Sequence, residues 1–258
     1  MSIIIKTATQ IEGIRQSSKL AGSVLTYIEP YVKAGVSTDY LDQLIHQFIV
    51  AHGAIPATLN YEGYPKSCCI SLNEVVCHGI PSPEVILKDG DILNIDVTTI
   101  LNGYYGDTSR MYTVGEISPV AQKLIAVTKH CLALGIAEVR PNNHVGNIGF
   151  AISRYATSQG FSVVFEYCGH GVGIDFHEAP EVDHTARRNS GPKMKPGMTF
   201  TIEPMINEGK ARIKIDSNDG WTSRTIDNKL SAQFEHTILV TETGYEVLSD
   251  VLNEYPCK

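Results

Sequence analysis

"NIDVTTILNGYYGDTSRMY", residues 94–112, is an apolar run broken by one Asn-Gly pair and marked by two acids. Asn-Gly is the favoured two-residue hairpin loop, so Asn102 and Gly103 fix a register that sets Asp107 opposite Thr98. Thr98 is two positions from Asp96, which puts both acids on the same side of the ribbon. Diagonal neighbours of this kind stand roughly 7–8 Å apart at the backbone, so both carboxylates can reach one small object. Asp96 sits among Ile92, Leu93, Ile95 and Val97, a run that reads as buried on both faces. A buried carboxylate is costly unless something positive meets it.

The C-terminal part adds to the puzzle. "MTFTIEPM" puts Glu203 at the end of a β-branched run, and "SAQFEHTILVTE" puts Glu235 in another. "EYCGHGVGIDFHEAP" offers His170 among glycines, with His177 further on. Each taken singly has a bland explanation: a core histidine, an edge-strand acid. Four carboxylates gathered without countercharge repel by about 4 kcal/mol per close pair at an effective dielectric of 20. Two divalent cations cancel all four charges. Carboxylate-rich ligation with one imidazole suits manganese, iron(II), cobalt(II) or zinc. Two such ions about 3.5–4 Å apart acidify a water and polarise a substrate oxygen, for a peptide or a phosphate ester alike.

The wider sequence frames this centre. A chain of 258 residues holds one large domain or two closely packed parts. A net charge of −7 argues against a nucleic-acid binder, and "ARRNSGPKMKPG" (186–197) reads as a solvated loop. The six cysteines form no C-x-x-C pair and read as buried free thiols in a reducing compartment. The N-terminal isoleucines are too few for a signal segment and no run suggests a membrane span, so a cytoplasmic protein is expected.

Helical periodicity predicts two similar halves, roughly 9–114 and 118–249. Thr9 and Glu12 form a capping box before Ile14, Ala21, Leu25 and Ile28. A second helix starts near Ser37 or Thr38 and stops at Gly53. Ser118 caps a third helix with Pro119 in its first turn, and a fourth, with Ile148, Ile152 and Tyr155, runs to Gly160. Aligning the halves pairs Val32 with Val139, Leu41 with Ile148, Ile45 with Ile152 and Gly53 with Gly160. The expected fold class is α+β, with strands at the centre, helices outside and a site between the halves.

The segments "NYEGYPKSCCISLNEVVCHGIP", "DGDILNIDVT", "YYGDTSRMYTVG", "EYCGHGVG", "FHEAP", "KPGMTFTIEPM", "DGWT" and "LSAQFEHTILVT" resemble, in order and spacing, the type I methionine aminopeptidases. The likeness runs from about residue 5 to 249. It implies the pita-bread fold, one catalytic domain with a curved antiparallel sheet and helices on its outer face. It also implies removal of the initiator methionine before a small second residue. Asp96 would chelate the first metal, Asp107 and Glu235 would bridge both, and His170 and Glu203 would complete the second. Glu203 would also act as general base, His177 would bond the scissile carbonyl, and His78 would contact the substrate backbone. Tyr61, Tyr64, Cys69, Phe176 and Trp221 would line the methionine pocket, and a thioether packs well against ring edges.

Asn73, Val75 and Ser231 match positions that hold a monovalent cation such as sodium in relatives. Thr58 stands where some relatives carry cysteine, and Ile174 where many have arginine. The implied partners are nascent polypeptides beginning with methionine, with the ribosome a candidate docking platform; a monomer is expected, without membrane or nucleic-acid specificity. Two alternatives stand beside this reading. An X-Pro peptidase of the same fold usually carries an additional N-terminal domain, and a non-catalytic binding module of that fold typically loses metal ligands.

Overall fold

The computed structural model describes residues 2–257. Helix α1 (Ala8–Ile28) is capped by Thr7, which forms a capping box with Gln10. The expected Thr9–Glu12 box is therefore not the one used. Two overlapping pairs fit the pattern, and Glu12 is drawn one turn onward to an ion pair with Arg15. Helix α2 (Thr38–Ala51) starts after Ser37, whose hydroxyl accepts the Tyr40 N–H. It ends before Gly53, which takes φ +74°. Strands β1 (Ile55–Pro56), β2 (Cys69–Leu72), β3 (Val75–Cys77), β4 (Ile92–Leu101) and β5 (Tyr104–Thr113) follow.

The second helix pair is α3 (Pro119–Ala137), capped by Ser118, and α4 (Gly146–Ser158). After it come β6 (Ser162–Val163), β7 (Gly169–Gly171), β8 (Glu178–Val182), β9 (Thr199–Ile202), β10 (Met205–Asn207), β11 (Ile213–Ile215), β12 (Ser223–Thr225), β13 (Ser231–Gln233), β14 (Glu235–Val240) and β15 (Tyr245–Val247).

Nine strands form one sheet in the order β1-β4-β5-β14-β9-β7-β8, with β2 added on β4 and β15 on β14. All its pairings are antiparallel. The β4–β5 hairpin keeps the register set by its Asn-Gly loop along its whole length, with Thr98 opposite Asp107 and Ile92 opposite Thr113. Asn102 and Gly103 both take positive φ, as this turn requires. The β5–β14 seam joins the N-terminal and C-terminal parts, with Ser109 opposite Glu235.

Helices cover one face of the sheet. Ile95 and Val97 join Leu25, Leu41, Ile45 and Ile49 in one buried cluster. Phe200, Ile202 and Ile238 join Leu124, Cys131, Ile148 and Ile152 in another. Alternation along each strand then leaves the neighbouring positions for the opposite face. Gly106 lets α1 lie against β5, because a Cβ there would meet the Ser18 nitrogen at 2.2 Å. One helix departs from the expectation that no run suggests a membrane span. The 19 residues of α3 are long and apolar enough by length and composition. Its apolar side chains are those of a core helix, with Leu124, Val127, Cys131 and Leu132 packed into the cluster with α4. Of the six thiols, four are buried, whereas Cys168 is half-buried and Cys257 exposed in the C-terminal tail. Burial was expected of all six.

Candidate metal centre

Sheet register gathers the acids. Asp96 lies opposite Ser109, which in turn lies opposite Glu235. His236 faces Ile202, so Glu203, one residue past β9, falls in line with Glu235. Directly opposed residues share a face, and Asp107 is two positions from Ser109. The four carboxylates therefore occupy the face away from the helices. His170 reaches the same side from β7, where a bulge re-aims the chain and its N–H bonds Thr201 Oγ1 at 2.9 Å.

Ligand atoms of Asp107, His170 and Glu235 lie within 4.8 Å of one another. His170 Nε2 stands 3.7 Å from Asp107 Oδ2 and 3.6 Å from Glu203 Oε1. Asp96 adjoins the trio through Asp107, whose charge is felt at its carboxyl. All five line one cleft of about 960 Å³, along with every side chain expected to meet substrate.

The titration of these groups shows what the site lacks on its own. Burial, then the charge of Asp107, lifts Asp96 well above the ordinary carboxylate range. Burial raises Glu235 likewise, followed by the charges of Asp107, Glu203 and Asp96. Glu203 is raised mainly by burial, with Thr201 pulling it back. Asp107 is pushed up to about 7 by burial, again opposed by a hydrogen bond from Thr98. Burial pulls His170 down to about 3.

His170 decides whether a metal fits. Its Nδ1 lies 3.0 Å from the Gly171 carbonyl, which can only accept, so the ring proton is on Nδ1. Nε2 then carries a lone pair 3.7 Å from Asp107 Oδ2 and 3.6 Å from Glu203 Oε1, an electron-rich gap suited to a cation. An imidazole with its outer nitrogen bonded to a carbonyl is the usual arrangement of a metal-ligating histidine. The carboxylates are braced in the same way. Thr98 Oγ1 donates to Asp107 at 2.7 Å, Thr201 Oγ1 to Glu203 at 2.7 Å and Gln233 Nε2 to Glu203 at 3.3 Å. The donor set fits divalent cations.

Comparison with known proteins agrees with this chemistry. The model of metallopeptidase family M24 matches residues 12–242. The methionine aminopeptidase of Haemophilus influenzae is 52% identical over 251 residues, covering 96% of this chain and 93% of that one. That of Escherichia coli is 52% identical over 250 residues, with 96% and 94% covered. The chain belongs to metallopeptidase family M24, among the methionine aminopeptidases. The crystal structure of methionine aminopeptidase from Rickettsia prowazekii superposes with a TM-score of 0.95 at 49% identity, covering 96% of this chain and all of that one. The curved antiparallel sheet backed by helices is thus the pita-bread fold. A prolidase from Pyrococcus furiosus, 20% identical with a TM-score of 0.79, shares the fold. Membership of M24 brings with it the use of divalent metal.

Around the acids stand the residues expected at the substrate. His177 Nδ1 is 2.9 Å from the Tyr61 hydroxyl, and its ring stacks on Phe176 with centroids 4.4 Å apart. His78 adopts φ +57° and packs edge-on to Tyr167 and Trp221; burial pulls it down to about 4. Tyr64 is buried, and its hydroxyl donates to the Cys68 and Gly79 carbonyls. Cys69 lies opposite Asp96, and Tyr61 packs on Phe176. Thr58 also lines the cleft, whereas Ile174 sits in the turn beside it.

Asn73, Val75 and Ser231 lie outside the cleft. The Ser231 N–H donates to the Asn73 carbonyl at 2.8 Å, and Val75 follows in β3. Sequence reasoning passed over Thr201, Gln233 and His184. The first two stand two residues before Glu203 and Glu235, so strand alternation could have found them. The His184 Nε2 accepts the Glu203 N–H at 3.1 Å, and nothing in the local sequence announces that contact.

Proposed function

We propose that this chain removes N-terminal methionine from nascent proteins and peptides with a small second residue, as one catalytic unit built from halves 9–114 and 118–249. The observation that carries the reading is the lone pair of His170 aimed between Asp107 and Glu203, at the floor of a cleft walled by Tyr61, Tyr64, Phe176 and Trp221. Asp96, Asp107, His170, Glu203 and Glu235 would hold two divalent ions, with Asp107 and Glu235 serving both. Cobalt, manganese, iron(II) and zinc all suit this donor set. Bound there, the ions supply Lewis acidity and lower the pKa of a water molecule.

The chain's own groups do the rest. Glu203 takes the proton of the attacking water and hands it to the leaving amine, with its carboxylate held by Thr201 and Gln233. With the Tyr61 hydroxyl taken as donor to His177 Nδ1, the single ring proton is on Nε2, available to the scissile carbonyl as negative charge develops. His78 steadies the substrate backbone. The aromatic wall with Cys69 accepts the methionine thioether. Asn73, Val75 and Ser231 are assigned a monovalent cation, on the ground that Asn73 and Ser231 meet directly.

The test is a mass-spectrometric assay of protein purified anaerobically and loaded with each metal in turn. Met-Gly and Met-Ala peptides should lose methionine, and metal-free protein should be inert. No methionine release under any loading, or faster cleavage of X-Pro peptides, would overturn the proposal.

A further inference from the structure

Lys6 touches neither the carboxylate cluster nor the aromatic wall, yet it is wholly buried. Its ammonium lies 2.5 Å from Glu178 Oε2, and the two side chains are 0% and 2% exposed. Burying an ion pair is a poor route to stability, so its use here calls for another purpose. The second oxygen of Glu178 points the same way. Oε1 accepts the N–H groups of Ile174 at 2.7 Å and Asp175 at 3.0 Å. Those amides belong to the turn 173–177, which presents Phe176 and His177 to the cleft. The turn is held at its start by the Tyr105 N–H, bonded to the Gly173 carbonyl at 2.9 Å. Lys6 is fixed in its turn, since its N–H donates to the Gly197 carbonyl at 2.9 Å. Gly197 lies two residues before the start of β9, the strand that leads to Glu203.

We propose that the buried Lys6–Glu178 pair is a latch that sets the position of the His177 imidazole relative to the metal centre, with both as positioning residues for catalysis. The latch rests on the reading of His177 given above. Asp175 and His177 are themselves exposed; ring contacts of Phe176 and the Tyr61 hydroxyl hold side chains of the turn, while Glu178 holds its backbone at two successive amides. A carboxylate acceptor strengthens both amide bonds, and the ammonium holds that carboxylate in one rotamer. Because His177 acts as charge develops, a displacement of about 1 Å costs on the order of 100-fold in rate. It costs little in ground-state binding, which the aromatic wall provides.

A double-mutant cycle tests the latch. Steady-state kinetics on a Met-Ala peptide, with metal content measured alongside, would compare K6M, H177A and K6M/H177A. H177A alone should lower kcat. K6M should lower kcat by roughly 10- to 100-fold with KM changed less than about threefold and a full complement of metal, and K6R should recover most of the loss. In the H177A background, K6M should have almost no further effect on kcat. An equal loss with and without His177 would mean a general structural role and would overturn the latch, as would undiminished kcat in K6M. Undiminished kcat in H177A would instead overturn the reading of His177 itself. If K6M does not fold, K6M/E178Q leaves no buried charge unpaired and takes its place in the same cycle: a kcat loss that vanishes without His177 supports the latch, and an equal loss in both backgrounds overturns it.

Discussion

The two sides of the metal centre are built on different plans. Asp96 and Asp107 come from a single hairpin whose register is complete from Ile92–Thr113 to Leu101–Tyr104. His170, Glu203 and Glu235 come from three strands spread over more than sixty residues, one through a bulge and one just past a strand end. The hairpin directs its ligands mainly by register, with one side-chain bond added, from Thr98 to Asp107. The other side relies on added hydrogen bonds: the Thr201 and Gln233 side chains on Glu203, and the Gly171 backbone carbonyl on His170. A site assembled in this way puts its rigidity on one wall and its adjustability on the other.

The largest effect should come from breaking the rigid wall. Asp107→Asn removes the carboxylate proposed to serve both ions without altering the hairpin, and turnover should fall by roughly 1000-fold or more, about 4 kcal/mol of barrier. Metal-free protein should not lose stability, because the wild-type carboxyl is already pushed toward its neutral form at about 7. Paired activity and thermal-denaturation measurements separate the two. A variant that keeps turnover would show that Asp107 is not a ligand. One that unfolds without metal would show that the hairpin depends on the acid.

A smaller effect sharpens the contrast. Thr201→Val takes away the stronger brace on Glu203, and metal affinity should drop by roughly 10- to 100-fold. Thr98→Val removes an equally short bond to Asp107, yet should cost less than about tenfold, since the hairpin backbone already directs that side chain. Metal titration of both variants reads the difference. Equal losses would remove the distinction between a wall held by backbone and one held by braces.

The same contrast governs what could be read beforehand. The hairpin was legible because Asn-Gly fixes the turn and alternation fixes every side chain after it. The helix starts at Ser37 and Ser118 were legible for a similarly local reason: a hydroxyl that closes onto an amide three residues later. At α1 the rule was satisfied twice, at Thr7 and Thr9, and local pattern could not choose between them. Glu203, His170 and Glu235 stood out only as polar residues in apolar runs. Their meeting depends on the β5–β14 and β14–β9 seams, and no local pattern encodes strand order. Lys6 and Glu178 lie still further beyond reach, since a pair 172 residues apart leaves no periodic trace. Resemblance to a family supplied the ligand set that spacing alone left open.

The smallest expected effect concerns pH and metal removal, and it weighs the carboxylates against the histidines. Without metal, a carboxyl whose folded pKa is raised holds a proton that the unfolded chain releases. That stability is complete below the ordinary carboxylate range and drains away as pH rises through the folded value, about 7 for Asp107. Asp96, Glu203 and Glu235 are shifted in the same direction. The buried histidines oppose this: His78 and His236 at about 4, His170 and His184 at about 3. They stay neutral when folded, so stability rises with pH until the unfolded imidazoles lose their protons near 6.5. Below that pH the two sets offset one another, and above it the carboxyls act alone. Metal-free protein should therefore lose thermal midpoint as pH rises from 6.5 through about 7, where the Asp107 carboxyl gives up its proton, at a slope of roughly 4 °C per pH unit for each carboxyl still protonated. Metal-loaded protein should show the reverse slope, because cations compete with protons for the same oxygens. Scanning calorimetry with and without chelator distinguishes the cases. Parallel slopes in both would mean that the four acids do not titrate as one buried group and that the two walls share no common ion.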